Sequence, residues 1–360
     1  PPRSTLFPYT TLFRSGELLD EAALKAMGIR PKGWDLPPIE QQSEIPVEVK
    51  KSLAQRPTPV APKASTPGVS VSLGPVDVAA LLLEDSQGTA TPSKGVERTG
   101  IVRSLAEPIV VSGREAPSAG AWQTLADGMR VWTLTLESPE ARAIRVHFGA
   151  LAMPSGAQVI VYSTDNPLEA YGPYVRPYGG ETGLWSASVF SEKVTVELRV
   201  PAGVDTSTLK LVIDDVVHTY ADFGLLAWSK AGTCHEDISC HADWATTARG
   251  VGGYTFIVKP NQLHCTGTLV ADTDPSSAIP YFLTANHCVS AQTGSMGTSS
   301  MEFFWLYQTS SCGGSPPALS SVPRTSGGAD FVAGISSATG SDFTLVRLRS
   351  NPPSDLTYVG

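Results

Sequence analysis

Between residues 131 and 213 the chain repeats one pattern, short runs of alternating apolar and polar side chains, each closed by a turn signal. The runs cover 131–136, 143–148, 158–162, 193–200 and 208–213. Alternation with a period of two sends successive side chains to opposite faces of a strand, so each run can bury one face and wet the other. Pro-Ser-Gly at 154–156, Gly-Gly at 179–180 and Pro-Ala-Gly at 201–203 separate the runs at the intervals expected of two packed sheets. The pattern predicts an antiparallel β-sandwich over 99–222. A second set of short runs, at 254–258, 266–270, 281–284 and 301–307, has the spacing of half a β-barrel. The fold class is therefore all-β, a sandwich followed by a barrel half.

The flanks of these modules carry less pattern. Residues 5–15 resemble a translated sequencing adaptor, and 1–15 are set aside from fold reasoning. No initiator Met or charged-then-apolar leader stands at the start, which is uninformative about export. Residues 16–98 have the composition of a mostly disordered linker, with a short helical candidate at 16–27 and a Pro-rich stretch at 56–62. A joint at 223–232 links the two modules. The net charge of -8 offers no basic face to nucleic acid and suits an exported protein. No apolar run reaches the roughly 18 residues that a membrane-spanning helix needs. All five cysteines fall within 234–312. Such clustering predicts a disulfide-stapled module in an oxidising compartment, extracellular or periplasmic, and the odd count leaves one cysteine over.

Two motifs in the second module carry chemistry. Tyr-Phe-Leu-Thr-Ala-Asn-His-Cys-Val at 281–289 ends an apolar strand on a histidine beside a cysteine, as chymotrypsin-like serine proteases do, and makes His287 the candidate general base. Ser-Asp-Phe-Thr-Leu-Val at 341–346 brings a carboxylate into an alternating strand, in the His-before-Asp order of that fold. Asp342 is the candidate orienting acid. That order places the nucleophilic serine third, and no Gly-Asp-Ser-Gly or Gly-Ser-Ser-Gly elbow follows Asp342 before Gly360. The expectation is an incomplete reading frame in which 233–360 is the first half of a protease domain.

From residue 232 onward the chain resembles bacterial lysyl endopeptidases, a branch of the chymotrypsin-like serine proteases. The resemblance rests on Cys234 and Cys240, the Cys-Thr-Gly-Thr-Leu-Val strand at 265–270, the two motifs above, and Phe-Phe-Trp-Leu-Tyr-Gln at 303–308 before Cys312. Asn286 and Val346 depart from the pattern at positions expected not to touch the chemistry. The family's pairing, carried over, joins Cys265 to Cys288 and Cys240 to Cys312, and leaves Cys234 for a cysteine outside this chain. It also implies a precursor whose sandwich is a pro-region that assists folding or masks the cleft of its own catalytic domain, the substrate being a protein or peptide, with no cofactor. Self-cleavage after Lys230 would make Ala231 a new N-terminus; Lys259 is the only later lysine. Lysine preference follows from the resemblance alone. Without a serine the chain by itself is expected to be inactive.

Four adjacent Cys/His pairs, at 234–235, 240–241, 264–265 and 287–288, suggest zinc, but neighbouring strand residues face opposite ways and no Cys-x-x-Cys is present, so no metal is expected. Ser315, in Cys-Gly-Gly-Ser-Pro, imitates a nucleophile elbow yet precedes Asp342 and is taken as a turn serine. Trp132, Tyr174 and Trp185 would suit a carbohydrate-binding face, but aromatic residues in a sandwich more often pack its core. The competing class is a secreted binding protein with a sandwich and a non-catalytic protease-like domain.

Overall fold

A computed structural model of the chain describes residues 56–60, 70–88, 96–222, 236–273, 279–289 and 297–359. The strands of the first module are β1 (Ser70–Ser72), β2 (Glu97–Ser112), β3 (Ala121–Thr124), β4 (Arg130–Glu137), β5 (Ala143–Ala152), β6 (Gln158–Ser163), β7 (Ala170–Tyr174), β8 (Leu184–Trp185), β9 (Lys193–Val200) and β10 (Lys210–Thr219). Those of the second are β11 (Val251–Val258), β12 (Asn261–Val270), β13 (Tyr281–Ala285), β14 (Glu302–Trp305), β15 (Arg324–Thr325), β16 (Ala329–Ile335) and β17 (Phe343–Leu348). Among the described residues three short α-helices accompany them: α1 (Val78–Ser86), α2 (Ala245–Ala248) and α3 (Asn286–Val289). Among the described residues no helix is long and apolar enough to cross a membrane.

The first module is a two-sheet sandwich. One sheet has the order β1-β4-β9-β6-β7, with β3 on the same edge of β4 as β1, and the facing sheet contributes β2, β10, β5 and β8. Every pairing is antiparallel except β1 with β4. Trp132, Leu134 and Leu136 of β4 share a core with Val146 and Phe148 of β5 and with Leu211 and Ile213 of β10, as the period-two pattern requires. Trp132 and Tyr174 pack in or against this core and Trp185 lies 4.6 Å from the His147 ring, so the three aromatics serve packing rather than one exposed face.

The stretch expected to be mostly linker contributes structure to the sandwich. β1 lies within it, and so does α1, which is held by Arg98. That guanidinium donates to Asp85 Oδ1 at 2.9 Å, to Glu84 Oε2 at 2.9 Å and to the Leu81 carbonyl at 3.1 Å. The Tyr220 hydroxyl donates to Asp85 Oδ2 at 2.6 Å. These partners come from distant parts of the sequence, which a local composition reading cannot register. The alternating pattern does not mark β2 either, because its polar residues and Pro108 break it. The proline falls where the β2–β10 ladder skips between Ile109 and Ser104, so its missing N–H costs no hydrogen bond there.

In the second module the order β15-β14-β11-β12-β13-β17-β16 curls around an aromatic centre. Tyr254, Phe282, Phe303 and Trp305 meet edge-on, tilted or stacked at centroid distances of 5.0 to 5.8 Å. Residues from both ends of that order, Met301 and Phe303 on one side and Ala329 on the other, share the core, and Gly328 N donates to the Met301 carbonyl at 3.1 Å. β12 is the branch point between modules. Its end, 267–270, pairs with β13, while its start, 261–264, pairs with β2. One eleven-stranded sheet thus runs through both modules.

Candidate active site

The register of β13 against β17 sets Ala285 opposite Phe343, so the next residue on each strand is brought to the same place. Asn286 N donates to the Asp342 carbonyl at 3.1 Å, and His287 N donates to Asp342 Oδ1 at 2.9 Å. The other carboxylate oxygen, Oδ2, lies 2.6 Å from His287 Nδ1. Asp342 reaches this position with φ at +52°, a left-handed conformation that aspartate tolerates better than most residues. With Asp342 ionised, Nδ1 carries the proton and Nε2 keeps its lone pair, the tautomer a general base needs. The His287 side chain is 34% exposed and Asp342 26%, so the pair is half-buried and open to a reactant.

Around the pair, several contacts hold the two strands in register. The Cys265–Cys288 disulfide, across 23 residues, ties the residue after His287 to β12. Such a closure stabilises by about 3 kcal/mol on the chain-entropy account. Asn286 is buried, and its Nδ2 donates to Thr344 Oγ1 on β17 at 3.0 Å. A Cβ on Gly334 of β16 would come within 3.0 Å of that same Nδ2, so the bare backbone there gives Asn286 its room. Asn286 thus bonds β17, the strand that begins just after Asp342. The signal was in the motif, but only the third dimension pairs positions 286 and 344.

The second disulfide, Cys240–Cys312, spans 72 residues, and Ser239 Oγ lies 2.8 Å from Thr309 Oγ1 beside it. Cys234, Lys230 and Ala231, like the helical candidate at 16–27 and residues 1–15, lie outside the described residues. Ser315 is exposed in the segment after Cys312. The cysteines at 240, 265, 288 and 312 are oxidised to disulfides and offer no thiolate to a metal. Elsewhere, ligand atoms of His147, Asp214 and Asp215 lie within 4.8 Å of one another. Asp215 is already taken by Lys259 Nζ and by Ser104 Oγ at 2.6 Å, which makes the group an ion-pair network.

An all-β module with a histidine–aspartate pair at the mouth of a curled sheet defines the class: a chymotrypsin-like fold. Two family models then match in series, the lysyl endopeptidase N-terminal domain over residues 72–220 and the lysyl endopeptidase C-terminal domain over 228–360. A lysyl endopeptidase of Pseudomonas aeruginosa is 27% identical over 198 residues, covering 51% of this chain and 40% of that relative. The chain is a lysyl endopeptidase-like protein, and it matches less than half the length of that relative.

Proposed function

We propose that the chain is the pro-region and first catalytic barrel of a secreted serine endopeptidase precursor, whose nucleophilic serine is supplied by sequence that follows it in the whole protein. The observation that carries this reading is the 2.6 Å contact between His287 Nδ1 and Asp342 Oδ2, clamped by the backbone bond from His287 N. His287 Nε2 takes the serine proton as the hydroxyl attacks the scissile carbonyl, then returns it to the leaving amine. Asp342 keeps the imidazole oriented and stabilises its cationic form. Cleavage after lysine is supported by the relative's name, and a cut after Lys230 would free the barrel module with Ala231 first. The disulfides support an oxidising compartment, outside the cell or in the periplasm.

In this reading the sandwich serves its own catalytic domain, the first module being a folding partner of the second. The test compares residues 1–360 with the whole protein in hydrolysis of a lysine ester. The expected result is no turnover by 1–360, turnover by the whole protein, and a loss of about 10⁴-fold or more on His287→Ala. Activity in 1–360, or activity that survives His287→Ala, would refute the assignment.

A further inference from the structure

β6 and β9 are largely buried on both faces. Val159 and Val161 of β6 and Val194, Val196 and Leu198 of β9 enter the sandwich core. Alternation then turns Ile160, Tyr162, Thr195, Glu197 and Arg199 to the outer face, where the register sets Ile160 beside Glu197 and Tyr162 beside Thr195. Ile160 and Tyr162, with Ala170 of β7, form a small apolar cluster of their own there. Beside it is a charge, Glu197, which is 0% exposed. A carboxylate so enclosed needs partners on every side. Arg199 Nε donates to its Oε1 at 2.7 Å and the Tyr162 hydroxyl to its Oε2 at 3.3 Å. Burial, and after it the Glu197 charge, raises the pKa of that hydroxyl and keeps it a donor. A further donor comes from 137 residues away, the Val60 N–H, which reaches Oε1 at 3.2 Å.

Val60 ends the run Arg-Pro-Thr-Pro-Val at 56–60, which lies on this face and is held by its main chain. Arg199 Nη2 donates to the Thr58 carbonyl at 2.6 Å. The guanidinium thus takes the carbonyl before Pro59, and the Glu197 carboxylate takes the N–H after it. Pro59, which has no N–H of its own to satisfy, is buried between them, while Thr58 and Val60 are exposed. At the front of the run the Arg56 guanidinium lies 5.6 Å from the centre of the Tyr171 ring. The sequence prepares the segment for this fit. Each proline fixes its own φ and biases the residue before it toward extended backbone, so 56–59 loses little freedom on docking.

We propose that the outer face of β6 and β9 is a recognition surface for an extended, proline-containing peptide, read through its main chain by Glu197 and Arg199 and filled in this chain by residues 56–60. A carboxylate that accepts from an N–H and a guanidinium that donates to a carbonyl do what a neighbouring strand would do. Many side chains can therefore stand at positions 58 and 60, provided that position 60 keeps its N–H. The buried proline at 59 and the arginine at 56 supply the selectivity. Because the resident segment is tethered, its effective concentration far exceeds that of a free peptide, and a peptide from outside gains the face only when the segment lets go.

The test titrates a fluorescent peptide of residues 54–62 onto two forms of the full chain, followed by anisotropy. One is wild type; in the other Pro57→Gly, Pro59→Gly and Val60→Pro disable the resident segment, and circular dichroism checks that it folds. The peptide is expected to bind the disabled chain about tenfold more tightly than the wild type, where the tethered segment competes. The same peptide carrying Val60→Pro, which lacks the N–H offered to Glu197, is expected to bind the disabled chain about tenfold more weakly. No saturable binding to the folded disabled chain, equal binding of the two peptides, or equal binding to the two chains overturns the proposal. Should the disabled chain fail to fold, hydrogen exchange of the wild-type chain decides. The Val60 amide is then expected to exchange about a hundredfold more slowly than in the free peptide, and exchange as fast as in the free peptide overturns the proposal.

Discussion

At the scale of single residues, the site depends on Asp342 doing three things from one position. Its carbonyl accepts from Asn286, one carboxylate oxygen accepts from His287 N, and the other meets Nδ1. The left-handed φ of +52° is what lets one residue serve all three. Asn286 adds a link to Thr344, two residues further on in β17. We therefore expect Asn286→Ala in the whole enzyme to lower kcat by about tenfold with little change in KM, since it loosens the alignment of acid and base without touching substrate. Asn286→Gln should not restore the rate, because the longer side chain has Gly334 and Thr344 already packed against it. Asp342→Asn should cost far more, about 10⁴-fold, by favouring the wrong imidazole tautomer. Equal losses from the two substitutions would contradict the distinction between positioning and orienting roles.

Among elements, the strand-to-helix transition at α3 is the one that the disulfide controls. β13 runs into α3 with no intervening residue, and Cys288 is bridged back to Cys265 in the middle of β12. Replacing both cysteines by alanine should lower the stability of the chain by about 3 kcal/mol, measured by urea unfolding under oxidising conditions. The slope with urea should stay near that of the wild type if the same surface is exposed. A loss below about 1 kcal/mol would mean that the β12–β13 and β13–β17 ladders alone fix this corner. β2 illustrates the opposite case, an element whose existence depends on neighbours. Its Gly100 sits where an added Cβ would lie 2.7 Å from the His218 carbonyl, so the central strand needs a bare backbone at that point.

For the whole molecule, the response to acid is set by histidines buried in the neutral form. His218 is 0% exposed, with Nδ1 2.8 Å from Ser138 Oγ, and burial together with the nearby Arg103 guanidinium lowers its pKa from 6.5 to about 4. His264, at the junction of the modules, is lowered too, chiefly by burial and against the pull of Glu97. The unfolded chain takes up protons on these rings first, so stability is full above pH 6.5 and falls as pH drops toward 4. His218 contributes roughly 3 kcal/mol to that fall. Depressed carboxylates such as Asp215 act only at lower pH, below the ordinary 3.8. Chemical denaturation at pH 7.5, 5.5 and 4 should show the decline, and His218→Asn should flatten it. A profile as steep in that variant as in the wild type would assign the effect elsewhere.

Much of this was open to a reader of the residues alone. Period-two alternation of side-chain type names β4, β5, β6, β9 and β10, although β6 and β9 turn out buried on both faces. The order of His287 before Asp342, each in a recognisable strand context, pointed to the pair. What the chain's linear pattern could not carry was anything that depends on two distant segments meeting. α1 stays folded through Arg98, β2 owes its place to β10 and β12, and Asn286 matters because Thr344 lies beside it. Glu302 looks like a polar residue opening an aromatic strand, yet it is fully buried and accepts from Ser188 of the first module. Local order follows from side-chain alternation and turn chemistry within a few residues. The joining of the two modules into one sheet was decided only by tertiary structure, because buried charges and strand edges take whichever partners the fold brings to them.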